Sequence, residues 1–272
     1  MVFEIEKFLD KPPFLEYPIW NIVLIYVLVY RIGVGVVVPF DSSKLVSLRE
    51  VVYNYLREKM NSGELLPGSF FNLREISEAL GISTTPLREA LVQLETEGFI
   101  TIFHRRGAMA NALSPKIIRN IYVILGALES AALMEASSRM GSEVVDAMEE
   151  HTHAMVRCLE EGNFDEYLSR NNEFHKIYIN LSDNEELVHR VDILKQRLYD
   201  FPRNNEIIYA WEEAGLKEHW DLVRILRTRD FAEAARYLRE VHWNYDVQEK
   251  FVRQFYAQHL EAVERKKAKM RS

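Results

Sequence analysis

The sequence has 272 residues, of which 48% are hydrophobic and 28% are charged, and its formal net charge at pH 7 is -7. This length suits two domains with buried cores, and the acidic balance argues against a protein that coats nucleic acid without specificity. The single cysteine, Cys158, excludes an intrachain disulfide framework and fits the reducing cytoplasm. Because it lies in an apolar helical pattern, we expect a packed thiol rather than a nucleophile.

Residues 1–40 differ in composition from the remainder of the chain. Residues 19–38 form an apolar run that just reaches the length of about 20 residues required of a transmembrane helix. Arg31 and the paired glycines within the run argue against a membrane span, and the N-terminus lacks the basic region of a signal peptide. Three interpretations remain open: a native start further downstream, for example at Val38, an ordered N-terminal extension, or a membrane anchor. We expect no membrane partner.

Residues 42–113 have the pattern of a winged helix-turn-helix. An apolar repeat at spacings of three and four residues predicts a first amphipathic helix. A second, short helix is expected between Asn72, which is a capping residue, and Gly81. After a tight turn, a third helix is expected to begin behind a Thr85 cap. The following segments, FITIF, HRRGA and MANAL, predict a β-hairpin with a basic tip, which is the wing.

The polar residues of this segment suit contacts with double-stranded DNA. Thr84, Thr85 and Arg88 cluster at the start of the third helix, where backbone N–H groups already favour phosphate. An arginine there can donate two hydrogen bonds to one guanine edge, which is worth about 1–3 kcal/mol of base discrimination. Arg105, Arg106 and the adjacent flexible Gly107 place positive charge at the wing tip, within reach of a phosphate backbone or a minor groove.

The sequence of residues 48–108, LREVVYNYLREKMNSGELLPGSFFNLREISEALGISTTPLREALVQLETEGFITIFHRRGA, resembles the GntR family of transcriptional regulators. The resemblance implies that Arg74, Thr85 and Arg88 contact DNA and that Gly107 lies where the wing tip enters the groove. Thr84 occupies a position where the family usually has arginine, so one DNA contact is expected to be missing.

Residues 114–258 are expected to form an all-helical antiparallel bundle, which makes the fold class mainly α. Ser114 and Pro115 begin the first helix, and glycine, proline, aspartate and asparagine residues lie between the successive helices. The predicted helices cover residues 115–139, 142–161, 164–181, 184–200, 206–228 and 231–258. The basic tail, residues 259–272, is expected to be a solvated end, with a supplementary DNA contact as the alternative.

Three of these helices each place one histidine on an apolar stripe. The histidines are His175, His219 and His242, and Asn171 lies four residues before His175 on the same helical face. Imidazole is the commonest metal ligand, and helical bundles build metal sites from facing helices. A metal site and three packed core histidines remain equally open on this pattern alone, and His151 is a competing inward candidate.

Residues 115–250 also resemble the helical effector domain of the FadR-like subgroup of the family, through NNEFHKIYINLSDNEEL and EHWDLVRILRTRDFAEAARYLREVH. The resemblance implies a divalent metal, zinc or nickel-like, bound by one aspartate and three histidines that correspond to Asn171, His175, His219 and His242. Asn171 replaces the aspartate, so weaker metal binding is expected. The metal would help to bind a small organic acid. The subgroup commonly has arginine four residues before the glutamate matched by Glu129, whereas this chain has Leu125.

These patterns together predict a cytoplasmic, homodimeric transcription regulator that binds palindromic operator DNA and responds to a small ligand. It is not expected to be an enzyme. The first alternative is a metal-dependent hydrolase that uses the three histidines. This alternative lacks an evident general base, because Glu173 lies on a different helical face from His175. The second alternative is a membrane-attached sensor anchored through residues 19–38.

Overall fold

The computed structural model describes residues 47–199 and 209–255 of the chain. The predictions for the extension at residues 1–40, including the apolar run, and for the tail at residues 259–272 fall outside these ranges.

The N-terminal part of the described chain folds as three helices and a small antiparallel sheet. The helices are α1 (Leu48–Asn61), α2 (Leu73–Leu80) and α3 (Thr84–Thr96), and the strands are β1 (Phe70–Phe71), β2 (Ile100–Phe103) and β3 (Gly107–Ala110). The sheet has the order β1-β3-β2, so the predicted hairpin is present and β1 adds a third strand. β1 was not predicted because two residues are too few to show an alternating pattern.

The ends of the two helix-turn-helix helices have identifiable caps. The side chain of Asn72 accepts a hydrogen bond of 2.9 Å from the backbone N–H of Arg74, and α2 ends at Gly81 in the left-handed conformation. The predicted Thr85 cap of α3 is wrong, since the helix begins at Thr84 behind Ser83. Pro86 is tolerated as the third helical residue because N–H groups of a first turn have no intrahelical partner.

The C-terminal part of the described chain is entirely helical. Its elements are α4 (Pro115–Ala136), which continues as a 3₁₀ turn (Ser137–Arg139), α5 (Ser142–Glu161), α6 (Phe164–Leu181), α7 (Glu185–Tyr199), α8 (Tyr209–Arg227), α9 (Phe231–Tyr237), a π-helical segment (Leu238–His242) and α10 (residues 245–255). The predicted mainly α fold, a winged helix-turn-helix followed by a helical bundle, is confirmed.

The prediction of one continuous helix over residues 231–258 is wrong. The Trp243 N–H donates to the carbonyl of Leu238, five residues earlier, at 2.8 Å, which closes a π turn and ends the helix. The Trp243 side chain is buried against α4, with its ring centroid 5.2 Å from that of Tyr122. Gly126 leaves room for this approach, because a Cβ atom there would lie 3.1 Å from the Trp243 Cβ. Tertiary packing therefore overrides the helical periodicity of the sequence at this point.

Two hydrophobic cores form, and α7 contributes to both of them. Leu187 and Val191 belong to the core of the helical bundle, whereas Ile193 is buried in the core of the winged helix-turn-helix. Further along the same helix, the guanidinium of Arg197 lies against the backbone of Gly98, so close that a Cβ atom there would be 2.8 Å from its Cζ. This helix thus connects the interior of the bundle to the first domain.

Helix α4, with its 3₁₀ extension, is the one segment of the described chain long and apolar enough to cross a membrane. Half of its most apolar window is buried inside the protein, and the helix carries the fully buried Glu129. These features are those of a core helix in a bundle. Its other face is apolar as well, with Val123, Ile124 and Met134 exposed to solvent.

Candidate DNA interface and ligand centre

The start of α3 presents the predicted DNA-reading side chains to solvent. Thr84, Thr85 and Arg88 are all exposed there. Arg74 on α2 is also exposed and forms an ion pair of 2.7 Å with Glu78, one turn later on the same helix. A surface ion pair of this kind is weak, so the guanidinium remains able to exchange its partner for a phosphate.

The wing ends in a tight basic turn. The N–H of Arg106 donates to the carbonyl of Phe103 at 3.0 Å, and Arg105 adopts a positive φ of 59°. Arg105 and Arg106 are both exposed. Gly107 follows with φ of 93°, and a Cβ atom at this position would collide with the backbone carbonyl of Phe71 in β1. The wing therefore requires glycine here for a reason of packing as well as of backbone conformation.

Replacing Gly107 with alanine should destabilise the wing by about 1–3 kcal/mol, because it adds backbone strain to a steric clash with β1. We expect a lower midpoint of thermal unfolding and weaker DNA binding. The matched control is Gly68→Ala, since Gly68 also has a positive φ of 75° but no atom within 4 Å of its would-be Cβ. Equal losses in the two variants would contradict the steric argument.

His175 on α6, His219 on α8 and His242 in the π-helical segment form one cluster in the bundle. One nitrogen from each lies within 4.8 Å of the other two. His175 and His219 are almost fully buried, with 1% of each residue exposed, and their Nε2 atoms are 3.3 Å apart. The ring centroid of His242 lies 4.9 Å from that of His175 and 5.1 Å from that of His219. The structure therefore brings together the three histidines that the sequence singled out.

Buried Glu129 orients the His175 ring. The Nδ1 atom of His175 lies 2.9 Å from Oε2 of Glu129, and the hydroxyl of Tyr178 donates to the same oxygen. The Lys195 ammonium, on α7, forms an ion pair of 2.8 Å with the other oxygen. Burial would raise the pKa of Glu129, but the charges of Lys195 and His175 and their hydrogen bonds to the carboxylate together outweigh burial and hold that pKa well below its usual range. The carboxylate thus stays ionised and accepts the His175 Nδ1–H, which leaves the Nε2 lone pair directed at the other histidines.

A second carboxylate, that of Glu218, orients the His242 ring. Its Nδ1 atom lies 2.8 Å from Oε2 of Glu218, and the amide of Gln248 donates to the other oxygen at 2.6 Å. Both histidines therefore have an acceptor at Nδ1 that fixes the tautomer with a free Nε2.

The cluster fits a metal ion by the chemistry of its donors. Two nitrogens bound to a tetrahedral zinc ion at about 2.0–2.1 Å would be separated by about 3.3–3.4 Å. The Nε2 atoms of His175 and His219 have a spacing of 3.3 Å. The Nδ1 atom of His219 is buried and has no hydrogen-bond partner among the described residues. Because a metal ion at Nε2 would leave this Nδ1–H unpaired, the support for a metal site comes from the nitrogen spacing and from the carboxylates behind His175 and His242.

The remaining sequence candidates have different surroundings. Asn171 is half-buried on α6, one turn before His175, and its role as a fourth ligand stays a prediction. His151 lies outside the histidine cluster, and burial lowers its pKa. Glu173 is exposed and paired with Lys176 at 3.0 Å, away from the buried rings. Cys158 is buried, as expected of a packed thiol, and burial raises its pKa.

Sequence reasoning missed Lys195 and Glu218. Lys195 lies four residues after Val191 and eight after Leu187, on the apolar face of α7, and a lone lysine on such a face was the available signal. Glu218 directly precedes His219, but its contact with His242 depends on the break after the π-helical segment. No periodic pattern in the sequence indicates that break.

Acidification should destabilise the metal-free protein below pH 6.5. Burial, and then the Lys195 charge, lower the pKa of His175 to about 3, and burial also lowers that of His219. The folded chain keeps both rings neutral while the unfolded chain protonates them, so the free energy of unfolding should fall by up to about 1.4 kcal/mol per pH unit for each ring.

Urea unfolding between pH 6.5 and 5, in the presence of a chelator, measures this slope. The variant His175→Gln should flatten it, whereas His189→Gln should not, because His189 is exposed. A profile that is flat for the unmodified chain would contradict buried, neutral rings.

Comparison with known proteins agrees with this architecture. The family model "Bacterial regulatory proteins, gntR family" matches residues 48–109, and the model "FCD domain" matches residues 120–243. The Nta operon transcriptional regulator of Aminobacter aminovorans is 30% identical over 176 residues, which cover 63% of this chain and 80% of that relative. The chain belongs to the GntR family.

Other relatives are also regulators. The HTH-type transcriptional repressor RspR of Escherichia coli is 25% identical over 190 residues, covering 67% of this chain and 80% of the repressor. The solved structure of E. coli McbR/YncC has the same fold, with a TM-score of 0.56 and 21% identity over 79% of this chain and all of that chain. This GntR-family chain, with its FCD domain, is a DNA-binding, ligand-responsive transcription regulator.

Proposed function

We propose that this GntR-family regulator controls a metabolic operon in the cytoplasm, and that a small organic acid, bound next to a divalent metal in the FCD domain, regulates its binding to the operator. The observation that carries this proposal is the cluster of His175, His219 and His242, with carboxylates behind two of the rings. Carboxylate–histidine pairs of this kind orient ligands toward a metal.

The donor set argues for zinc or a nickel-like ion. Imidazole nitrogens suit both metals, and an ion with a coordination number of five or six keeps a position open for an effector beside four protein ligands. Asn171 is the proposed fourth protein ligand, and it offers a neutral amide oxygen in place of a carboxylate. Three neutral imidazoles and an amide would not neutralise a divalent ion, so the site favours an anionic effector. A small carboxylate supplies that charge.

On the DNA side, we propose that Arg88, Thr84 and Thr85 read base edges in a major groove. Arg74 would bind a phosphate, and the wing, with Arg105, Arg106 and Gly107, would follow the backbone or enter a minor groove. All of the charged side chains in this set are exposed on one domain. The N-terminus of α3 adds unpaired backbone N–H groups to the same surface.

The regulator would act as a homodimer. Val123, Ile124 and Met134 recur along one exposed face of α4, together with the exposed Ala127 and Ala131. A helix that is apolar on both sides is usually buried on both, and a second copy of the chain can cover this face. Two copies related by a twofold axis would also present two α3 helices to a palindromic operator.

The hydrolase alternative receives no support from the relatives, which are named as transcriptional regulators. The two carboxylates near the histidines, Glu129 and Glu218, are both hydrogen-bonded to imidazole Nδ1 atoms. Each carboxylate therefore orients an imidazole ring, and neither is left over to act as the general base that a hydrolase needs.

Elemental analysis combined with a DNA mobility-shift assay tests the proposal. Protein purified without chelators should carry a stoichiometric divalent metal, and citrate or succinate should raise its melting temperature and change its affinity for the DNA upstream of its own gene. His219→Ala should lose both the metal and the response to acids, while the exposed control His189→Ala should keep them. A metal content that is unchanged in His219→Ala, or an absence of metal from the unmodified chain after incubation with zinc, would overturn the metal site.

A further inference from the structure

A cavity of about 410 Å³ lies between the two domains. None of the three clustered histidines lines it. One side is formed by α1 and the sheet of the winged helix-turn-helix, and the other by α7 and the start of α4. Its apolar lining consists mainly of Met60, Leu65, Phe99, Met109, Leu113 and Ile117. This volume is within the range of ordinary small-molecule sites, about 300–1,000 Å³.

Arg197 brings a positive charge into this cavity. The side chain is half-buried, and its guanidinium lies on the backbone of Gly98, 2.8 Å from the position of a would-be Cβ atom. Burial lowers the pKa of Arg197, and no neighbouring carboxylate among the described residues offsets that effect. A guanidinium held in a fixed place without an acidic partner is a ready receptor for a carboxylate, which it can bind through two parallel hydrogen bonds.

A second arginine lines the same space from the DNA-binding domain. Arg57 is 8% exposed, and its Cζ atom lies 3.7 Å from the centroid of the Phe99 ring, the residue next to Gly98. No aspartate or glutamate is among the described residues that line the cavity. The cavity thus combines apolar walls with two cationic side chains, which come from different domains.

We propose that this interdomain cavity binds a small organic anion with an apolar body, such as a medium-chain carboxylate, whose carboxylate group pairs with Arg197. The apolar walls, including the Phe99 ring on which Arg57 packs, would bury the hydrocarbon part. This site is separate from the metal centre and does not depend on it.

Occupancy of this cavity has a consequence for the relation between the domains. Its ligand would contact α1 on one side and α7 on the other, so it would favour the arrangement in which these two helices face each other across the cavity. A ligand that binds one arrangement better than another shifts the population toward it. The cavity would therefore provide a second input to DNA binding.

Calorimetric titration of the metal-free full chain with octanoate tests the proposal, with octan-1-ol as the uncharged analogue. Octanoate should bind saturably and octan-1-ol much more weakly. The variant Arg197→Gln should bind octanoate about tenfold more weakly or worse, since it loses a charge-assisted pair. The matched control is Arg190→Gln on the same helix, whose exposed guanidinium already pairs with Glu186 at 2.7 Å, and it should bind octanoate as the unmodified chain does.

A second variant keeps the test decisive if Arg197→Gln folds poorly. Gln196→Trp places a large ring at the exposed edge of the cavity lining and leaves both arginines in place, so it should also weaken octanoate binding. The proposal is overturned if octanoate does not bind, if octan-1-ol binds equally well, or if binding survives in folded Arg197→Gln. Because the chelated protein is used, failure here is distinct from failure of the proposed metal site.

Discussion

Replacing Arg88 with alanine should weaken binding to the specific operator by roughly fivefold to 150-fold, which corresponds to the loss of about 1–3 kcal/mol of base recognition. Arg88 is exposed in the first turn and a half of α3, beside Thr84 and Thr85. Fluorescence anisotropy with the fragment upstream of the gene, at a fixed salt concentration, measures the change. Binding to unrelated DNA should change far less, because phosphate contacts dominate non-specific affinity.

A suitable control for this prediction is Arg236→Ala. Arg236 is exposed on α9 and pairs with Glu233 and Glu240 on the surface of the FCD domain. Its removal leaves the same net charge on the chain as the Arg88 variant but should leave operator affinity unchanged. If the two variants bound the operator equally well, the assignment of α3 as the reading helix would be wrong.

Replacing Glu129 with alanine should cost about 3–5 kcal/mol of folding free energy, the usual effect of removing one partner from a buried ion pair. Glu129 is fully buried, and it balances the buried Lys195 ammonium while it accepts hydrogen bonds from His175 and Tyr178. Without the carboxylate, Lys195 keeps only the weaker electrostatic attraction of Asp192, with which it forms no described ion pair. Urea unfolding of the metal-free protein at pH 7 measures the loss.

The double variant Glu129→Met, Lys195→Met separates the burial of an unpaired charge from the loss of packing. Methionine fills a similar volume without a charge, so the double variant should recover much of the stability that Glu129→Ala loses. The surface variant Glu233→Ala, in an exposed pair, should cost less than about 1 kcal/mol. A loss of that small size for Glu129→Ala would mean that the buried network contributes little to stability.

The sequence predicted the elements that depend on local periodicity and capping. Helices α2 to α6 follow from apolar spacing together with residues such as Asn72, Gly81 and Ser114, which act on their immediate neighbours. The three histidines were found in the same way, since each lies on an apolar stripe of its own helix. These features are local, so a single sequence carries them.

The parts that sequence reasoning missed depend on contacts between distant segments. Lys195 and Glu129 are separated by 66 positions along the chain and meet only when α7 packs beside α4. The turn at Trp243 places its indole against Tyr122 and its Cβ next to Gly126, both of them on α4. A helix propensity calculated over residues 231–258 contains no information about those partners.

The π-helical segment determines how this part of the protein responds to the loss of a residue. A π turn holds one residue more than an α turn, so deleting a single residue between Leu238 and Val241 would allow the helix to regularise. Because the deletion removes the residue that the π turn holds in excess, the rest of the element would keep its orientation, and His242 would still face His175 and Glu218. The same deletion in a regular stretch of the helix would rotate everything after it by about 100°, so this turn is a place where the element can lose one residue without moving the histidine.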